Sequence, residues 1–347
     1  MDKICYLHIG SPKTGSTSIQ AACFRNRTLL ESRSILYPGG HRRHNALVSA
    51  FHAEASGLRF NQLHKDLSQP GVAEGLIDQE MEQVAASGAR RVLYSNELLL
   101  GQVNHLDLVG LRDRLQPHFA QIRVLCYLRD PYKLLISRAQ EVIKSGARTY
   151  RNVVAQPPVM DMAGLSAYAR VFGQQALILR NFDDIVASKV PLLADCLGTI
   201  LPGIMLQGFE HTGVKNASLS LEAALIMSGL NAHHGLKSDW AGRHLRAHQL
   251  RGVGQTKFTL PRTAVLAVRD KLLAQYEILH GYRLNFSPPD WEALPDPQPD
   301  WSEQTLEQVA LLMNSLAGAG ERLGARKGGK GTGSAARRTI KNKGEKT

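Results

Sequence analysis

The chain has 347 residues, 43% of them apolar, and a formal net charge of +12. That is the length of one large α/β domain or two small ones, with the apolar content of an ordinary globular protein. No apolar run reaches the roughly 18 residues of a membrane-spanning helix, which excludes a transmembrane helix, and +7 of the charge is confined to Ala325–Thr347, leaving a modest +5 elsewhere.

Asp2 and Lys3 pass directly into Ile4, Tyr6, Leu7 and Ile9, a β-favouring run that predicts a buried strand. No charged, apolar and small-residue regions of a secretory signal precede it, so a cytoplasmic location is expected. The cysteines Cys5, Cys23, Cys126 and Cys196 sit in apolar segments without metal-ligand spacing and read as reduced core residues. After residues 10–18, Ile19, Ala22, Cys23 and Leu30 recur at helical spacing and predict a helix ending near Ser32. Residues 34–40 read as a short extended piece with a Pro-Gly turn, and a basic, histidine-bearing stretch at 41–45 leads into Ala46, Leu47 and Val48. Helices are expected over 72–86, 106–118, 131–144 and 184–197, and strands over 91–95, 122–128 and 176–179. Pro131 suits the first position of its helix. From Ser218 the pattern is helical, a proline-rich stretch spans 287–299, and a last amphipathic helix covers about 304–316.

Strands alternating with helices give an α/β class: a parallel β-sheet flanked by helices, with a mainly helical C-terminal part. Three segments are expected: an α/β domain over 1–285, a proline-rich connector with the C-terminal helix over 286–324, and a disordered basic tail over 325–347. Composition favours a solvated tail, although its basic run is of a kind that touches nucleic acid or acidic lipid.

The chemistry concentrates between the first strand and the first helix. Gly10 and Gly15 bracket a turn that holds Lys13, and Thr14, Ser16, Thr17 and Ser18 add hydroxyls. A strand, a glycine turn and a helix N-terminus make an anion site, because backbone N–H groups and the helix dipole converge there. The nucleoside-triphosphate loop would place lysine directly after the second glycine. Here Ser16 follows Gly15, and the lysine lies inside the loop. Pro12-Lys13-Thr14-Gly15-Ser16-Thr17 instead resembles the P-K-[TS]-G-[TS]-[TS] loop of sulfotransferases, which use 3′-phosphoadenosine 5′-phosphosulfate (PAPS).

A second anchor follows the strand ending at Leu128. Arg129 closes that strand and Ser137 lies eight residues on in the next helix, so a guanidinium fork and a hydroxyl can grip one anion. Arg129-Asp130-Pro131 with Ser137 and Arg138 resembles the sulfotransferase 3′-phosphate motif. The resemblance covers roughly residues 1–220 and is greatest to bacterial and carbohydrate-type members. It implies a P-loop-like sulfotransferase fold that moves a sulfuryl group from PAPS to a hydroxyl or amine of an acceptor, a saccharide or glycolipid. Lys13 to Ser18 then hold the 5′ side of the nucleotide, Arg129 and Ser137 hold the 3′-phosphate, and no metal is expected. The alternatives are a phosphotransferase using ATP and Mg²⁺, with Ser16 or Thr17 and Glu97 on the metal, and a nucleotide-binding protein without chemistry.

Catalysis is assigned to Lys13, His44 and Glu97. His44 is the expected general base, since it titrates near neutral pH; Glu97, at the end of a strand, is its partner or an acceptor ligand. Residues 213–220 resemble a segment found late in bacterial members, yet Ser218 or Ser220 also suits a helix cap, which is the favoured reading. His233 and His234 read as surface residues.

Overall fold

A computed structural model describes residues 2–58, 60–61, 67, 69–210, 218–234 and 248–313. Its strands are β1 (Ile4–Gly10), β2 (Ile35–Leu36), β3 (Arg91–Ser95), β4 (Gln121–Leu128) and β5 (Leu177–Asn181). They form one sheet in the order β2-β3-β1-β4-β5, and every pairing is parallel. This is the α/β class expected from the alternating pattern. Central β1 is buried on both faces, as parallel strands are: Cys5, Leu7 and Ile9 enter one apolar core and Tyr6 the other.

The helices are α1 (Ser16–Arg25), α2 (Arg27–Ser32), α3 (Asn45–Phe51), α4 (Val72–Ala86), α5 (Leu98–Gly101), α6 (Leu108–Leu115) and α7 (Pro131–Lys144). They continue as α8 (Tyr150–Ala155), α9 (Gly164–Phe172), α10 (Phe182–Ala187), α11 (Leu192–Ile200), α12 (Leu221–His234), α13 (Arg262–Leu266) and α14 (Arg269–Gly281). Ile19 and Cys23 of α1, Leu30 of α2 and Cys196 and Leu197 of α11 cover the Tyr6 face. Residues of α3, α4, α6, α7, α9, α12 and α14 cover the other. All four cysteines are free and buried.

Three expected helices come out differently. The first breaks at Asn26, whose side chain donates to the carbonyls of Ala22 and Glu210 and accepts the Glu210 N–H. Such side-chain bonds compete with the helical ladder. The helix expected over 184–197 divides into α10 and α11, because Pro191 disfavours helical backbone at the residue before it. In place of a helix over 106–118, α6 begins only at Leu108, where Asp107 accepts the Gly110 N–H, and residues 116–118 tighten into a 3₁₀ turn. The last helix is described over 303–313; its expected end and the basic tail lie outside the described residues.

The fold sets up a ligand crevice. Strands β3 and β4 lie on opposite sides of β1: the chain runs from β1 to β2 and β3 on one side, then crosses to β4 and β5 on the other. Ligands of open α/β sheets collect at the carboxyl ends of strands beside such a reversal. Gly10 and Leu128 end there.

Candidate functional site

The loop after β1 is built from its own hydroxyls. The Ser11 N–H donates to the Tyr127 carbonyl of β4 at 2.8 Å. Thr14 Oγ1 and Ser16 Oγ both donate to the Ser11 carbonyl, at 2.6 and 3.1 Å. These two hydroxyls, expected on a ligand, close the loop instead and are buried. Lys13 and Gly15 adopt left-handed backbone, with φ 70° and 77°, and Leu192 occupies the space a Gly15 Cβ would need. Alternating handedness turns successive N–H groups toward one point. Among the described residues the N–H groups of Lys13, Thr14, Gly15, Ser16 and Thr17 donate no hydrogen bond. Five consecutive free donors at the start of α1 make an anion cradle. Thr17 and Ser18 stay half-exposed on its first turn.

Helix α7 connects this cradle with the second anchor. Asp130 caps the helix by accepting the Lys133 N–H at 2.8 Å. Lys133, Ser137 and Glu141 follow at four-residue intervals, so they share one face with about 6 Å between steps. At one end of this stripe Glu141 Oε2 holds Lys13 Nζ at 2.9 Å. At the other end Asp183 Oδ1 lies 3.4 Å from Lys133 Nζ and 3.7 Å from Arg129 Nε. Ser137 stands between them, half-buried, and its hydroxyl makes no hydrogen bond among the described residues. Arg129 lies over the Phe182 ring, 5.6 Å from its centroid, and its Nε is buried without a hydrogen-bond partner. Two cations thus share one carboxylate.

Glu97 abuts the base of the loop: a Cβ on Gly10 would stand 3.2 Å from the Glu97 Cα. Its Oε2 accepts from Gln20 Nε2 at 2.7 Å, and its Oε1 lies 3.3 Å from Arg43 Nη2. Arg43 Nε in turn donates to Gln20 Oε1 at 3.2 Å. Each carboxylate oxygen retains a lone pair for a further donor. Gln20 and Arg43 escape a reading of sequence alone. The spacing of Gln20 three and four residues beyond Thr17 and Ser16 on α1 was the available signal.

His44 corrects the expectation of a titrating base. It is 2% exposed. Its Nδ1 accepts the Ser95 N–H at 2.9 Å, so Nε2 carries the proton and donates to the Pro38 carbonyl at 3.0 Å. Tyr37 and Tyr94 meet its ring edge to face. Burial pushes its pKa down to about 4. His44 therefore fastens the 38–44 segment to β3. His8, buried on β1 beside Ser95, is likewise lowered to about 4 by burial, with Glu97 pulling the other way.

Ser220 accepts the Ala223 N–H and caps α12. Residues 211–217 and the side chains of His233 and His234 lie outside the described residues.

No family model matches the chain, and no curated protein does. Two solved structures overlap its course. The sulfotransferase from Alicyclobacillus acidocaldarius is 15% identical, with 69% of this chain and 97% of that one covered and a TM-score of 0.39. The sulfotransferase domain from the curacin biosynthetic pathway is 15% identical, with 80% and 98% covered and a TM-score of 0.34.

Proposed function

We propose that this chain moves a sulfuryl group from PAPS to a hydroxyl or amine of an acceptor, a carbohydrate or glycoconjugate. The observation that carries the reading is the line of anion-binding groups along α7: the free N–H cradle with Lys13, the Ser137 hydroxyl, and Arg129. A nucleotide with phosphates at both its 5′ and 3′ positions fits that line. The buried Arg129 Nε, which faces the Asp183 carboxylate only at 3.7 Å and makes no hydrogen bond, supports the fit, because an anion would supply one.

When bound, PAPS supplies a sulfuryl group whose bond to the 5′-phosphate oxygen breaks as the acceptor atom takes its place. Lys13 and the cradle N–H groups stabilise negative charge gathering at the loop, where preorganised donors act without rearrangement. Glu97 takes the acceptor's proton, and Gln20 and Arg43 hold the carboxylate in position. A sulfuryl group carries less charge than a phosphoryl group, so the reaction makes little demand for a metal. On this reading the activity resides in residues 1–285 of a cytoplasmic protein.

Thermal-shift titration of the full chain tests it. Saturating 3′-phosphoadenosine 5′-phosphate should raise the melting temperature, since a ligand at about 100 times its Kd adds about 2.7 kcal/mol. ATP with Mg²⁺ and an oligonucleotide should not. Stabilisation by either of these, with none from 3′-phosphoadenosine 5′-phosphate, would overturn the proposal.

A further inference from the structure

A cavity adjoins the anion loop. It encloses about 180 Å³ and is lined in part by Gly101, Gln102, Asn104, His105, Arg138 and Asp161. A Cβ on Gly101 would stand 3.7 Å from Pro12 Cγ, so one wall residue of the cavity packs against the residue before Lys13. Its volume is below the roughly 300 Å³ at which drug-sized pockets begin, which suits a group of one ring.

Arg138 is the unbalanced charge in this cavity. Its Nε donates to the Pro158 carbonyl at 3.2 Å, which fixes the plane of the guanidinium. Among the described residues no carboxylate comes within ion-pair distance of it. Burial and the nearby charge of Arg148 both disfavour its ionised form, and Arg148 itself donates to the Gln156 carbonyl. Asp161, the carboxylate in the cavity wall, accepts the Ala163 N–H at 2.8 Å. A guanidinium does not shed its proton in a protein. A partly buried one without a counter-charge is therefore costly until an anion reaches it.

We propose that this cavity is the acceptor subsite and that it takes a sugar bearing an anionic group, a carboxylate or a sulfate ester. The anionic group pairs with Arg138, and the amides of Gln102 and Asn104 and the imidazole of His105 meet ring hydroxyls. The word acceptor rests on the sulfuryl-transfer reading; the anion site rests on Arg138 alone.

The test is isothermal titration of the full chain, with and without saturating 3′-phosphoadenosine 5′-phosphate. The probes are methyl glucuronide, glucose 6-sulfate and methyl glucoside. The wild type should bind one of the anionic sugars at least about tenfold more tightly than the neutral one. Which of the two it prefers distinguishes carboxylate from sulfate. Arg138→Gln should abolish the preference, whereas Arg138→Lys should keep a weakened preference. A wild type that favours neither anionic sugar overturns the proposal without any variant. A folded Arg138→Gln protein that keeps the preference also overturns it. Loss of the preference in Arg138→Gln, with no nucleotide binding by the wild type, upholds the anion site and removes the donor reading instead.

Discussion

A histidine that gives both ring nitrogens to backbone groups has no lone pair left for a substrate. His44 is in that position, while Glu97, two residues beyond the end of β3 and with its carboxylate tied only by side chains, keeps free lone pairs. The two residues should therefore respond oppositely to substitution. Glu97→Gln should lower turnover about 100-fold or more, within the usual range for a general base, with nucleotide affinity retained. His44→Ala strands the buried Ser95 N–H, which costs about 1–3 kcal/mol. It should lower the melting temperature while turnover per folded molecule stays near normal. Steady-state kinetics beside thermal unfolding separates the two. Turnover lost in His44→Ala at an unchanged melting temperature would return the base role to the histidine.

Helix α7 sets the spacing between the two anchors. Because Ser137 makes no hydrogen bond among the described residues, its hydroxyl adds nothing visible to the fold. Ser137→Ala should thus leave the melting temperature unchanged. It should weaken 3′-phosphoadenosine 5′-phosphate binding about tenfold to 100-fold, the worth of a hydrogen bond to a charged group. Adenosine 5′-phosphosulfate, which lacks the 3′-phosphate, should bind both proteins alike; an equal loss for both nucleotides would displace Ser137 from the 3′ side. The bounds of α7 were legible in the sequence because its cap and first residue, Asp130 and Pro131, are local signals. So were the four long strands and the loop glycines. The break at Asn26 was not, since its cause is Glu210, far along the chain. The same holds for the side-chain partners in the site. Lys13 meets Glu141 and Glu97 meets Gln20 only after the sheet has brought separate loops to one edge. A motif therefore marks the loop proposed as the anion cradle, whereas the choice between two candidate bases turns on burial and hydrogen bonding that no local pattern encodes.

At the scale of the whole molecule, three buried titratable groups contribute in opposite senses to how stability follows pH. His8 and His44 have folded pKa values near 4, below the ordinary histidine value of 6.5. Between about pH 6.5 and 4 the unfolded chain takes up both protons and the folded chain refuses them, so stability falls as pH falls. Glu80 acts in the opposite sense. Its Oε2 is buried without a partner, and burial raises its pKa from 4.5 to about 7. The folded chain holds this proton where the unfolded chain has lost it, so its contribution is complete below about pH 4.5 and is lost as pH rises toward 7. Over the shared window two histidines outweigh one carboxyl, and these three groups together contribute a rise in stability with pH of roughly 1.4 kcal/mol per unit. Glu80→Gln removes the opposing group. Urea unfolding from pH 4.5 to 7.5 should show its advantage over wild type growing from near zero to about 3 kcal/mol. An advantage of the same size at every pH would mean that the substitution acts through packing and that Glu80 is ionised in the folded chain.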